Sequence, residues 1–333
     1  MSGCRLDRYD LGMTLAIIAT IGGLAVLAWS ADKFVLGAAS VARYLGLAPL
    51  LIGMLVIGFG TSAPEMVVST FAALDGKPEI AIGNALGSNI VNIGLILGVT
   101  AIVLPITVHR GILRKELPLL LAVTAVAWLL MLDGSISVTD ASILLVLLLT
   151  FITWSVISAK TNKGDALAKD VTTSTDRTHL SKRAAWTWLL VGLVLLVIGS
   201  RILVYGAVEI ARALGWSDLI IGLTVVAIGT SAPELAASLS AARKGENDLA
   251  LGNVIGSNLF NTLGVIGVAG VITPIAVDTE VLTRDLPMVG AMTVLLVIFA
   301  WGRVGRGRIN RYEGAALLVV WIGYTTFLLV SAG

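Results

Sequence analysis

The hexapeptide Gly60-Thr61-Ser62-Ala63-Pro64-Glu65 occurs twice. Gly229-Thr230-Ser231-Ala232-Pro233-Glu234 repeats it letter for letter 169 positions later, and each copy sets a carboxylate one residue after a proline inside a long apolar run. Aligned at that offset, residues 57–98 and 226–267 share 18 identities in 42 positions without a gap. Weaker matches extend outward, from Arg43 with Arg212 and Gly46 with Gly215 to Pro105 with Pro274 and Pro118 with Pro287. The duplication reaches across almost the whole chain, so whatever one half folds into, the other must fold into as well.

Apolar runs of about 16–25 residues recur along the sequence, the length an α-helix needs to cross roughly 30 Å of hydrocarbon. Only 13% of the residues are charged, where soluble domains carry about a quarter. A transmembrane β-barrel would show short alternating segments instead. Ten spans are expected, near 11–43, 46–73, 80–104, 117–132 and 139–158, then 186–212, 217–242, 248–273, 286–301 and 313–331. Leu11–Ala31 is long enough to span and lacks a small-residue cleavage site, so it reads as the first transmembrane helix rather than a cleaved signal.

Five spans per half is an odd number, so two tandem copies must insert in opposite orientations. The expected fold is an all-α polytopic membrane protein of ten transmembrane helices, arranged as two inverted five-helix repeats. The first repeat covers 1–158, a cytoplasmic linker 159–185, and the second repeat 186–333. Loop charge sets the orientation. The side of the N-terminus holds 5 Lys and Arg and the opposite side 16, which puts both termini outside and the linker in the cytoplasm of a cell (inner or plasma) membrane protein. The first span of each half continues into a mixed stretch, Asp32–Arg43 or Arg201–Arg212. Those two long helices are expected to tilt and to slide.

The chemistry sits in the second and third spans of each half. Thr61, Ser62 and Glu65 share one helix face. Pro64 has no N–H and strains the preceding turn, while Gly58 and Gly60 give the backbone room to bend. The expected result is a broken helix that presents carbonyl, hydroxyl and carboxylate oxygens, tolerated in a membrane only where it is buried or lines a polar cavity. Oxygen ligands of mixed charge suit hard cations such as Ca²⁺ or Na⁺. The third span carries Gly83-Asn84, Gly87-Ser88-Asn89 and Asn92, repeated as Gly252-Asn253, Gly256-Ser257-Asn258 and Asn261. Ser88 and Asn92 share a face, as do Ser257 and Asn261, and the glycine pairs allow close helix approach. Asn84, Asn89, Asn253 and Asn258 lie off those faces and read as structural.

A membrane-centre glutamate is costly, by about 2.5–3.5 kcal/mol on insertion scales, and neither motif helix carries a Lys or Arg to pair with it. His109 and His179 read as solvated loop residues. Asp32, Asp75, Asp133, Asp140 and Asp218 read as solvated or interfacial, and Trp128 and Trp301 as interface anchors. Cys4 is the sole cysteine, so no disulfide or Cys-rich metal site is expected within the chain. The net charge of +2 gives no reason to expect a nucleic-acid partner.

The doubled G-T-S-A-P-E and G-S-N-x-x-N blocks resemble the α-repeats of the sodium/calcium exchanger family, within the wider cation/Ca²⁺ antiporter superfamily. The resemblance implies antiport, with Na⁺ moving down its gradient while Ca²⁺ moves against its own through overlapping sites. It implies Glu65 and Glu234 as the main Ca²⁺ carboxylates. Thr61, Ser62, Thr230 and Ser231 would add oxygens, with the backbone carbonyls of Gly58 and Ala227. Ser88, Asn92, Ser257 and Asn261 would complete the Na⁺ subsites and orient the glutamates. Some members carry Asp at one of the positions matched to Asn92 and Asn261; here both are Asn, leaving two acids in the core. Two carboxylates neutralise one Ca²⁺ or two Na⁺.

The chain is thus expected to be a transporter and not an enzyme. It needs no cofactor beyond the transported ions and no obligate protein partner, only Ca²⁺, Na⁺ and the surrounding lipid. The alternatives are a Ca²⁺/H⁺ antiporter using the same glutamates and, more remotely, a cation channel. An intramembrane hydrolase at Ser62 or Ser231 has no His or Lys beside either serine to act as base.

Overall fold

The computed structural model describes residues 3–161, 180–215, 227–301 and 307–331. Most of the expected linker, His179, Asp218 and the start of the seventh span fall outside the described residues. Each of the ten expected spans finds a helix: α1 (Gly3–Leu45), α2 (Pro49–Thr61, continued as Ala63–Leu74), α3 (Glu79–Val103), α4 (Glu116–Met131) and α5 (Val138–Thr161). The second set is α6 (Lys182–Ala213), α7 (Ala227–Thr230, continued as Ala232–Arg243), α8 (Asn247–Ile272), α9 (Val281–Trp301) and α10 (Arg311–Ser331).

Seven of these are long and apolar enough to cross a membrane as single helices, and the two pieces of α2 cross together with a bend of 44°. We call those pieces α2a and α2b, and the two pieces of α7 α7a and α7b. The break follows from the proline. Ser62 leaves helical geometry (φ −85°, ψ 1°), and so does Ser231 (φ −88°, ψ 6°). Pro64 and Pro233 then fall in the first turn of a new helix, where a missing N–H leaves no hydrogen bond unmade.

Two short antiparallel strand pairs report the inversion directly. Ile106–Val108, after α3, pairs with Gly307–Ile309, after α9. Ser135–Ile136, after α4, pairs with Ile275–Ala276, after α8. The loops after spans three and nine therefore share one end of the molecule, and those after four and eight the other. That arrangement requires an odd number of crossings per repeat, as two inverted five-helix repeats have.

The two long helices pack antiparallel against each other along a glycine seam. A Cβ built at Gly206 would lie 2.5 Å from the Ala16 carbonyl, at Gly199 2.9 Å from Leu27 N, at Gly192 2.7 Å from Phe34 N, and at Gly37 2.4 Å from Leu189 N. Backbones this close need residues without side chains. The other helices bury the main core, centred on Ile93, Ile96, Leu117, Leu263, Ile266 and Met292. α1 and α6 belong to a second cluster with α2a, α7b and the start of α8. The long pair thus lies outside the main core and packs against those three helices.

Candidate functional site

The site is built where the breaks in α2 and α7 meet α3 and α8. Glu65 opens α2b and Glu234 opens α7b; their residues are 3% and 2% exposed. Thr61, Ser62, Ser88, Asn92, Ser231, Ser257 and Asn261 are all buried, and Thr230 is half-buried. α3 and α8 each widen into a π-helical turn where they pass the breaks, at Asn92–Leu97 and Phe260–Val265. Such wide turns recur at functional positions because they re-aim side chains that a regular helix would hold at fixed spacing. The turn bearing Asn92 packs against α7b, and the turn bearing Asn261 packs against α2b. Each polar amide is thereby set beside the glutamate helix of the opposite repeat.

Hydrogen bonds cross between repeats at the centre. Ser62 Oγ donates to Glu234 Oε1 at 3.4 Å, and Thr61 Oγ1 contacts Asn253 Oδ1 at 3.2 Å. Asn92 Nδ2 donates to Asn258 Oδ1 at 2.9 Å, and Asn89 Nδ2 to Thr262 Oγ1 at 2.8 Å. The carboxylates of Glu65 and Glu234 are close enough to repel one another.

The same brace holds each glutamate helix. Asn84 Nδ2 donates to the Glu65 carbonyl at 3.3 Å and to Ser69 Oγ at 3.0 Å. Asn253 Nδ2 donates to the Glu234 carbonyl at 3.1 Å and to Ser238 Oγ at 2.8 Å. Asn84 and Asn253 are scaffold, in keeping with the structural reading of those amides. The sequence reading passed over Ser69 and Ser238, which sit one turn beyond each glutamate; their identity at the repeat offset was the available signal.

Around the two breaks, among the described residues, the atoms left unmatched are of one kind. Glu65 Oε2, Glu234 Oε2, Asn89 Oδ1, Asn92 Oδ1 and Asn261 Oδ1 are buried with no hydrogen-bond partner. All five are oxygens that accept and, unless a carboxyl is protonated, cannot donate. A buried acceptor left without a donor is destabilising by about 1–3 kcal/mol, more when charged. A cation satisfies several such oxygens at once. The oxygen-only set fits a hard cation, Ca²⁺ or Na⁺, and no imidazole or sulfur is part of it.

Other expectations meet the structure differently. The Gly58 carbonyl already accepts from Ser62 N–H at 3.1 Å and from Ser257 Oγ at 3.4 Å, so it is a shared acceptor and not a bare one. Ala227 begins α7a, and the backbone before it lies outside the described residues. Gly252 and Gly256 do admit a close helix, since a Cβ at either would lie within 2.7 Å of the backbone at Leu50 or Met54. Among the described residues nothing lies within 4 Å of a Cβ at Gly83 or Gly87.

His109 is not simply solvated: its Nδ1 lies 2.7 Å from Asp248 Oδ1, tying the loop after α3 to the start of α8. A histidine and an aspartate 139 positions apart give no local signal of this pairing. Trp128 is not a plain interface anchor. Its ring packs over Gly290 of α9, 3.1 Å from where a Cβ would be. Trp301 is exposed, as an interface residue would be.

Comparison with known proteins adds four findings. The family model described as sodium/calcium exchanger protein matches residues 15–157 and 184–330. A putative antiporter, CaxA, from Alkalimonas amylolytica is 44% identical over 321 residues, covering 96% of this chain and all of that protein. The sodium/calcium exchanger MaX1 of Methanosarcina acetivorans is 28% identical, covering 95% of this chain and 99% of its own length. Among solved structures, the sodium-calcium exchanger NCX_Mj soaked with zero Na⁺ and Ca²⁺ superposes with a TM-score of 0.80 at 33% identity, covering 95% of this chain and 99% of that one.

Proposed function

The chain belongs to the sodium/calcium exchanger family, a family of membrane transporters and not enzymes, and on that premise we propose that it exchanges Na⁺ for Ca²⁺ across the cell membrane. The observation that carries the reading is the set of buried, donor-less oxygens on Glu65, Glu234, Asn89, Asn92 and Asn261. Glu65 and Glu234 act as the anionic ligands. The hydroxyls of Thr61, Ser62, Thr230, Ser231, Ser88 and Ser257 complete the oxygen cage. Lipid surrounds the helices; the termini lie outside and the 159–185 segment inside.

Coupling follows from charge and size. Ca²⁺ and Na⁺ have similar radii, so the same oxygens hold either and cannot fully serve both together. Two carboxylates balance one Ca²⁺ or two Na⁺, and Asn at both 92 and 261 adds no third negative charge. Mutually exclusive occupancy then ties the two fluxes. Alternating access needs one unit to move past a fixed site. The glycine-seamed pair α1 and α6, packed apart from the main core, is the unit suited to it.

The coupling ion is tested with the protein in proteoliposomes. Radiolabelled Ca²⁺ uptake driven by a Na⁺ gradient at clamped pH is compared with uptake driven by a pH gradient at zero Na⁺. Na⁺-driven uptake alone is the expected result. Uptake driven by the pH gradient without Na⁺ identifies a Ca²⁺/H⁺ antiporter using the same two glutamates, and uptake indifferent to either gradient indicates a channel.

A further inference from the structure

The two ends of the long helix pair are held differently. On α1, Asp32 accepts from Ser240 Oγ at 2.5 Å and from Lys244 Nζ at 2.9 Å. Ser240 lies one turn before the end of α7b and Lys244 caps it. Nearby, Arg43 reaches Glu246 at 3.2 Å. The α7b–α8 corner, turned at Gly245 with φ +77°, is thus clamped to α1 at one end of the molecule.

The repeat offset carries each of these positions to the other end. Asp32 maps to Arg201 on α6, Ser240 to Phe71 on α2b, and Lys244 to Asp75, which caps α2b. The acid has become a base and the base an acid, so the pair keeps its complementarity with the signs exchanged. The corner is conserved in shape as well: Gly76 follows Asp75 with φ +72°. Yet the contact is not made. Asp75 and Arg201 both stand exposed, and among the described residues no hydrogen bond or ion pair holds either side chain. α1 packs along α7b, while α6 scarcely touches α2b. The second clamp has no such counterpart. Arg43 and Glu246 map to Arg212 and Lys77, two like charges, and Arg212 is held by Glu209 on its own helix at 3.1 Å.

We propose that Arg201 and Asp75 are a latch for the opposite-facing state: when the α1–α6 pair slides, Asp32 leaves Lys244, Arg201 engages Asp75, and α6 closes over α2b as α1 now closes over α7b. In the present state α1 lies against the end of α7b, and the end of α2b is exposed. The two pairs are never made together, so each biases one access state and neither locks the cycle. Both pairs are exposed, so each bias is small enough to be overcome at every turnover.

This inference rests on alternating access at the proposed site, and its test separates the two. Arg201→Asp and Asp75→Arg each place like charges at the latch and should slow Ca²⁺ exchange about fivefold; the double variant should return to within about twofold of wild type. A double variant as slow as the two single effects multiplied, or single variants with wild-type rates, overturns the latch. Where a charge reversal prevents insertion, Arg201→Cys with Asp75→Cys in a Cys4→Ser background gives an independent reading. An intramolecular disulfide, seen by gel mobility, should form under oxidant in some ionic condition and not in all. Its absence in every condition overturns the latch. The crosslink needs no particular coupling ion, so a chain that crosslinks but carries no Ca²⁺ contradicts the ion reading and leaves the latch standing.

Discussion

α2b and α7b begin with the same motif and end in different surroundings. Ala232 to Ala242 of α7b is buried on nearly every side, with Ser240 only 4% exposed. Its counterpart Phe71 on α2b is 61% exposed, and Leu74 62%. The difference begins at side chains that are not duplicated. α7b carries Ala236, Ala237 and Ser240 where α2b carries Val67, Val68 and Phe71, so α1 can lie flat along the first helix and meets Lys244 at its end. The glutamates themselves are equally buried. The repeat has kept the two glutamates symmetric while making their covers asymmetric, as the proposed alternating access requires.

Fixing that asymmetry should have the largest effect. A disulfide between Asp32→Cys and Ser240→Cys would hold α1 on α7b, and exchange should stop and return on reduction. Full activity in the crosslinked protein would mean that α1 does not leave α7b.

The glycine seam sharpens the same comparison. Gly206→Ala puts a Cβ against the α1 backbone and should destabilise the protein by about 1–3 kcal/mol, read as a lower melting temperature. The same change at Gly22, where nothing lies within 4 Å, should stabilise by up to about 1 kcal/mol through helix propensity. Equal effects at the two positions would deny that the long helices pack backbone to backbone along the seam.

A smaller difference is expected between the two braces. Asn253 is 1% exposed and touches Glu234, Ser238 and Thr61, while Asn84 is less buried and, among the described residues, bonds within its own repeat. Asn253→Ala should therefore exceed Asn84→Ala by about 1 kcal/mol in thermal unfolding. The smallest effect belongs to the exposed clamp. Lys244→Gln should raise hydrogen exchange along α7b by about twofold to fivefold and leave α2b unchanged.

Much of this was legible in the residues. Spans, parity and the paired motifs follow from apolar run length and from identities at one offset, and both are properties that local sequence carries. The break at Ser62 was legible because Pro64 forbids the alternative. Three things were not. The π-helical turns at Asn92 and Phe260 leave apolar periodicity nearly intact, so nothing in composition marks them. The braces through Ser69 and Ser238 were visible only as identities, without a sign of what they touch. The pairing of His109 with Asp248 depends on how the repeats dock, which no stretch of either repeat encodes alone. The same holds for the asymmetric covers: the substitutions at 236, 237 and 240 are plain in the sequence, but their consequence appears only once α1 is laid against them.

The account stands most directly on two carboxylates acting as one site. In proteoliposomes, Na⁺-driven uptake of radiolabelled Ca²⁺ should fall by at least about 100-fold, the equivalent of roughly 2.7 kcal/mol, in Glu65→Gln and to the same degree in Glu234→Gln, with both variants folded and inserted. Wild-type uptake in either variant would contradict it.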